Sequence, residues 1–195
     1  MTPILQGKLV RLEPLTLAHL PALEEIAFEP SIWRYMRSIV STPEQLRAYV
    51  ETALQWEADG TAMPWATISL RDNKVAGSTR FYEYAPKDKT VRIGSTWLNP
   101  AYRRTGINVE AKLLQFTYGF ETLGLNRIAL ETHHENVQSQ NAMRALGATF
   151  EGVHRNAYVM ADGSLRHNHW FSVIREDWPE VKAKLQARLA KHATL

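Results

Sequence analysis

Trp97-Leu98-Asn99-Pro100-Ala101-Tyr102-Arg103-Arg104-Thr105-Gly106-Ile107-Asn108 is the stretch on which the reading of this chain turns. Residues 91–98 carry the composition of a strand, and Pro100 ends it. Residues 108–123 have the apolar spacing of a helix, and Gly124 stops it. A strand that passes through a turn with two arginines and a glycine into a helix leaves unpaired N–H groups at that turn. The turn can therefore receive a phosphate: glycine lets the backbone approach the anion, and Arg103 and Arg104 add charge-assisted bonds. An ordinary strand-to-helix turn with solvated arginines would look the same, and the stretch alone does not separate the two. Neither G-x-x-x-x-G-K-[ST] nor G-x-G-x-x-G occurs in the chain. That argues against ATPase, kinase and dinucleotide-dehydrogenase chemistry and leaves a pyrophosphate-bearing ligand held mostly by backbone amides.

Outward from this stretch, strands and helices are mixed throughout. The pattern predicts a strand over 8–15, then a helical stretch over 16–28 capped by Thr16 and delayed or kinked by Pro21. Thr42-Pro43-Glu44-Gln45 is a strong helix start for a segment running to Gly60. Strands are expected over 65–70, 75–82, 91–98 and 127–132, and a helix over 137–146 ends at Gly147. Residues 149–158 and 167–174 read as a hairpin around Asp162-Gly163. A last amphipathic helix over 178–192 has Asp177 as its cap, Glu180 at the third position and a stripe of Trp178, Val181, Leu185 and Leu189. No linker divides the chain, so one layered α/β (α+β) domain over 1–195 is expected, with its core at about 8–176.

Composition narrows the chemistry. The 195 residues are 45% hydrophobic and 22% charged, enough for one sizeable core. Twenty-three Lys and Arg against 20 Asp and Glu give a net charge of +3, too dispersed to argue for nucleic acid. There is no cysteine, which excludes a disulfide scaffold, a Cys-ligated zinc and a cysteine nucleophile. No apolar run approaches the roughly 20 residues of a membrane span, and residues 1–10 lack a signal-peptide core. A cytoplasmic protein with no membrane or nucleic-acid partner is the expectation.

Arg103-Arg104-Thr105-Gly106-Ile107-Asn108 resembles the Q/R-x-x-G-x-G/A acetyl-CoA loop of the GCN5-related N-acetyltransferases, departing from it at Asn108. Asn136-Val137-Gln138-Ser139, followed by Asn141-Ala142-Met143-Arg144-Ala145-Leu146-Gly147-Ala148, resembles the N-x-x-S…L-G-[FA] segment of the same superfamily. Pro100 to Gly106, Gly124-Leu125-Asn126-Arg127 and Asp177-Trp178-Pro179 are similar to the branch that acetylates ribosomal-protein N-termini, the RimJ/RimL type. The resemblance implies a central mixed, largely antiparallel sheet with splayed middle strands, flanked by helices. It also implies acetyl-CoA as cosubstrate and transfer of the acetyl group to a primary amine.

Carried over residue by residue, the resemblance puts the pyrophosphate on the backbone of Arg104, Thr105, Gly106, Ile107, Asn108 and Val109, with Arg103 beside it. Asn108 leaves one of these contacts open. Main-chain groups of Trp97 and Leu98 would bond the pantetheine arm, and one N–H would polarise the thioester carbonyl. Asn136 would contact the pantetheine, although it also suits a helix N-cap. Ser139 would protonate the departing thiolate, or is simply a surface serine. The tyrosine that many members use for that step would fall near Met143 or Arg144 and is absent. Arg144 could reach the phosphates or be solvated.

For the proton on the amine, Glu83, Glu131 and His133 are candidates, and His133 is preferred because histidine titrates near neutrality. His133, His134, His167 and His169 are candidate metal ligands by type, but no carboxylate cluster matches them and no metal is expected. Trp33 and Tyr35, with Glu83, are the candidates for the acceptor pocket; packing explains the two aromatics equally well. The acceptor expected is a protein or peptide N-terminal amine, with a small-molecule amine or a non-catalytic CoA-binding module as alternatives and a homodimer as an open assembly. Without cysteine, no acyl-cysteine intermediate can form, and direct transfer is the expectation.

Overall fold

A computed structural model describes residues 2–160 and 162–191. Its strands are β1 (Leu5–Gln6), β2 (Val10–Pro14), β3 (Met63–Ser69), β4 (Lys74–Ala85), β5 (Thr90–Leu98), β6 (Arg127–His133), β7 (Thr149–Val159) and β8 (Leu165–Ile174). The helices are α1 (Leu20–Ala27), α2 (Pro30–Trp33), α3 (Pro43–Ala58), α4 (Ile107–Thr117), α5 (Val137–Leu146) and α6 (Trp178–Ala190). The strands form one sheet in the order β1-β2-β3-β4-β5-β6-β8-β7. Every neighbouring pair is antiparallel except β5 and β6, which are parallel.

Strand periodicity sorts the apolar residues to the two faces of the sheet. On β3, Trp65 joins Phe81, Phe116, Phe171 and Trp178 on the face covered by α4 and α6. Ala66 and Ile68 join Leu20, Leu23, Trp33, Leu46 and Val50 on the face covered by α1 and α3. With helices on both faces, β3 is buried along nearly its whole length, which explains its continuous apolar run.

Most helix ends follow the sequence signals. The Thr42 hydroxyl accepts the Gln45 N–H at 3.3 Å, with Pro43 in the first turn of α3. Pro21 falls in the first turn of α1, after a 3₁₀ turn at Leu17–His19, so it delays the helix rather than kinking it. Gly147 closes α5 in the left-handed conformation at φ 101°.

Other details differ from expectation. Asp177 is already helical, and its side chain caps nothing in α6. The segment after α1, for which the sequence pattern predicts no helix, contains the short helix α2, and Pro30 initiates it. α4 ends in a π-helical turn at Tyr118–Thr122. Residue 192, the expected end of the last helix, lies outside the described residues.

One long-range anchor ties the start of the chain to the centre. The carboxylate of Glu110, on α4, accepts the backbone N–H groups of Lys8, Leu9 and Val10 at 2.9, 2.6 and 2.8 Å. Gly7 has no side chain because a Cβ there would lie 2.3 Å from that carboxylate carbon. Glu110 therefore holds the entry to β2 against the first turns of α4.

Candidate active site

The site begins where two strands part. β5 and β6 pair only from Thr90 with Arg127 to Ile93 with Leu130. Beyond that point both continue, to Leu98 and His133, with no pairing between them. A bulge helps to drive them apart: Ser78 pairs with Trp97 and Arg80 with Gly94, so Ser95 and Thr96 together oppose Thr79. Ser95 takes φ 47°, a left-handed conformation that turns the β5 backbone. The split opens into a cleft of about 1400 Å³, walled by β4, β5, β6, α3, α5 and the segment after α2.

At the mouth of the split, the loop after β5 leads into α4. Asn99 caps a 3₁₀ turn at Pro100–Tyr102 by accepting the Ala101 N–H at 2.9 Å. Arg104 and then Gly106 take positive φ values, 63° and 89°, and Gly106 is the residue that precedes α4. Alternating backbone handedness before a helix start gathers N–H groups into a concave anion receptor. The positive φ of Arg104 was not legible in the sequence. Arg103, Arg104 and Asn108 line the cleft, whereas Ile107 and Val109 are buried in the core. The Thr105 hydroxyl donates to the Tyr102 carbonyl at 2.7 Å, which fixes the loop from within.

Across the split, Asn136 caps α5: its side-chain oxygen accepts the Ser139 N–H at 3.0 Å. The amide NH₂ of Asn136 has no such task, so capping and ligand contact are compatible. Asn136 and Ser139 both face the cleft. Arg144 does not line it; its guanidinium lies over Phe171 and Phe150, 5.3 and 5.9 Å from the ring centroids.

On the floor of the wide part of the cleft, Glu131 is at the centre of a polar network. Its carboxylate accepts Tyr82 Oη at 3.2 Å, Asn168 Nδ2 at 2.8 Å and Tyr158 Oη at 3.4 Å. Arg166, which bonds Asn168, also donates to the Tyr35 carbonyl at 2.9 Å. Burial and the Glu131 charge push the Tyr82 phenol far above its ordinary value, so this tyrosine stays protonated as a donor.

His133 is two residues along the same face of β6, yet it does not line the cleft. It is 8% exposed, stacks on His134 and lies tilted against Tyr35, and its Nδ1 accepts the Glu135 N–H at 3.0 Å. Burial first, then the neighbouring His134 and Arg166, lower its pKa. Trp33 is also away from the cleft wall: it is 3% exposed, packed on Tyr49 and Trp97, and donates to the Ala27 carbonyl. Tyr35 lines the cleft, and Glu83 sits exposed at its rim, paired with Arg92 at 2.8 Å. Among the described residues no cluster of His, Asp or Glu could hold a metal, and no helix is long and apolar enough to cross a membrane.

Two buried cations in the cleft wall were missed from the sequence. Arg80 is 2% exposed in the middle of β4, and Lys112 is 3% exposed on α4. Lys112 Nζ donates to Gln115 Oε1 at 2.8 Å, Thr96 Oγ1 at 3.0 Å and Thr79 Oγ1 at 3.2 Å. It thus ties α4 to the bulge. The available signal was a basic residue interrupting an apolar strand or an otherwise buried helix face, which Phe81 and Ala111 beside them make visible only in retrospect.

Lys112 has three neutral acceptors and no carboxylate, and desolvation brings its pKa down to about 7. Between about pH 7 and the ordinary lysine range, the unfolded chain binds a proton that the folded protein has released. The lysine's contribution to stability therefore rises with pH across that window. Lys112→Met should remove this dependence. Thermal midpoints measured from about pH 6 to about pH 9.5 should show wild type gaining on the variant by a few kcal/mol. Parallel pH profiles would contradict the burial of a titrating lysine here.

A family model described as an acetyltransferase (GNAT) domain matches residues 10–149 of this chain, from β2 to the start of β7. The chain belongs to the GNAT acetyltransferase family, and its fold and relatives make it an acyltransferase. It is 26% identical over 181 residues to the uncharacterized N-acetyltransferase YoaA of Bacillus subtilis, covering 90% of this chain and 98% of the relative. It is also similar to the crystal structure of a GCN5-related N-acetyltransferase from Brucella melitensis, with 29% identity and a TM-score of 0.90 over 97% of this chain and 86% of the other. The ribosomal L7/L12 α-N-protein acetyltransferase RimL shares the fold at 21% identity, with a TM-score of 0.78 over 89% and 95% of the two chains.

Proposed function

We propose that this GNAT enzyme transfers the acetyl group of acetyl-CoA directly to the N-terminal amine of a protein or peptide, in the cytoplasm, as a single domain over the whole chain. The parted strands carry this reading. The β5 edge past Ile93 has no partner strand on the β6 side, and an extended, amide-bearing pantetheine arm matches an unpaired edge. The turn at Arg104 and Gly106 is the complementary feature for the pyrophosphate, and the lining residues Arg103 and Asn108 flank it. The RimJ/RimL-like acceptor choice is supported by the resemblance of three sequence segments and by the fold shared with RimL.

In this reading a backbone N–H of the β5 bulge polarises the thioester carbonyl, and the Ser139 hydroxyl relays a proton to the thiolate, taking one back from solvent. Glu131 takes the place first given to His133. It lines the cleft, where Tyr82 and Tyr158 hold it in position, whereas Glu83 sits exposed at the rim and is paired with Arg92. Glu131 can receive the proton that the acceptor ammonium loses before the neutral amine attacks. His133 is covered by Tyr35, and its Nδ1 is already engaged.

Thiol release from acetyl-CoA, measured with a panel of peptide and small-molecule amines, tests the reading. Turnover with peptide amines is the expected result, and acetyl-CoA stabilisation without turnover would instead make this a binding module. Within the active system Ser139→Ala should lower kcat by about tenfold or more while changing acetyl-CoA affinity little. Equal losses in both would remove the serine from the proton step.

A further inference from the structure

Arg80 is the charged side chain for which acyl transfer as described has no use. It is 2% exposed, and among the described residues it has no hydrogen bond and no carboxylate partner. Its Nε and Nη2 are enclosed with no acceptor. Tyr49 and Trp56 of α3 lie against the guanidinium, with ring centroids 4.7 and 5.5 Å from its carbon. Aromatic faces can hold such a cation, but they leave its in-plane N–H donors unsatisfied. A planar fork of donors is the shape that a carboxylate fills with two parallel bonds.

The position of Arg80 says what kind of ligand would bring that carboxylate. It pairs with Gly94, at the closed end of the split, whereas the phosphate-receiving loop lies beyond Leu98 at the open end. The phosphates of the cosubstrate are therefore poor candidates. Two residues further along the same face, roughly 7 Å away, Tyr82 donates to Glu131. The wall facing α3 thus presents an unpaired cation and then a carboxylate, complementary to a molecule that carries both a carboxylate and an amine.

We propose that the amine acceptor bears a carboxylate close to its reactive amine and that Arg80 receives it. This deepens the acyl-transfer reading and rests on it. The α-carboxylate of a free amino acid and an acidic side chain near a peptide N-terminus share this chemistry. Trp56, 39% exposed near the end of α3, is the cover that yields to the ligand. Tyr49, packed edge-on against Trp33, is the fixed one.

The test compares matched acceptors: an amino acid with its carboxamide, and a peptide beginning Ser-Asp with one beginning Ser-Asn. Wild type should favour the acidic member of one pair by on the order of tenfold or more in kcat/KM, mainly through KM, and the responding pair names the source. Arg80→Met should bring that ratio close to one, and Arg80→Lys should restore part of it. If Arg80→Met does not fold, the wild-type ratios and Arg80→Lys decide. Calorimetry with acetyl-CoA alone accompanies every protein. If wild type binds none, the acyl-transfer reading falls, and the carboxylate site is then judged by whether the acidic acceptors stabilise wild type and not the Arg80 variants. Indifference of wild type within both pairs, or an acidic preference that survives Arg80→Met, overturns the proposal.

Discussion

Gly106→Val should weaken acetyl-CoA binding by on the order of 100-fold, and two independent effects combine to produce it. At φ 89° the residue before α4 is in a region that a β-branched side chain adopts only with strain of roughly 1–3 kcal/mol. The added side chain also crowds the first N–H groups of the helix, where the anion is expected to approach. Strain alone would lower stability without lowering affinity, so a control is needed. Gly124, at φ 62°, has no atom within 4 Å of where a Cβ would be and does not line the cleft. Gly124→Val should therefore lose stability and keep its affinity. If calorimetry showed both variants binding acetyl-CoA like wild type, the loop at Arg104 to Val109 would not be the pyrophosphate site.

Glu110→Ala has the largest expected effect on the fold itself. Three backbone donors converge on one buried carboxylate, and alanine would leave Lys8, Leu9 and Val10 without their acceptor at the start of β2. Hydrogen bonds to a charged group each contribute about 1.5–3 kcal/mol and do not add fully, so a loss of about 3–5 kcal/mol is expected. For a chain of this size that corresponds to a fall of roughly 2–4 °C in Tm for each kcal/mol. Glu110→Gln keeps one acceptor oxygen but turns an NH₂ toward other donors, so it should recover little. A loss below about 1 kcal/mol in urea denaturation would mean that these three bonds are replaced by water as β2 frays.

Much of this fold could be read from the chain because its signals are local. Thr42-Pro43, Gly147 and the strand composition from Trp65 onward act within a few residues of themselves, and each lies where expected. Asp177 shows the limit of such signals: the residue type suits a cap, but its backbone is already helical and its side chain turns back to Ile174. The turn at Gly106 into α4 was legible for the same local reason. The proposed acceptor side was not, because it is assembled from β4, β6, β8 and the segment after α2, and pairing between distant strands sets which side chains meet. Glu131 gains its significance from Tyr82, Tyr158 and Asn168, which lie 49, 27 and 37 residues away. Arg80 and Lys112 were invisible as a pair of buried cations for the same reason, since burial is a property of the assembled layers.

The tie between Lys112 and Thr96 makes α4 a ruler. One end of this helix begins at Gly106, where the phosphates are expected, and six residues later the same helix is bonded to the bulge beside the expected thioester. Six residues of α-helix rise about 9 Å, a length that no side-chain rearrangement alters. The separation between gripping the cosubstrate and activating it would then be set by a rigid rod and not by the loops around the cleft. Those loops are free to diverge between acceptors while the reach of the acyl donor stays the same.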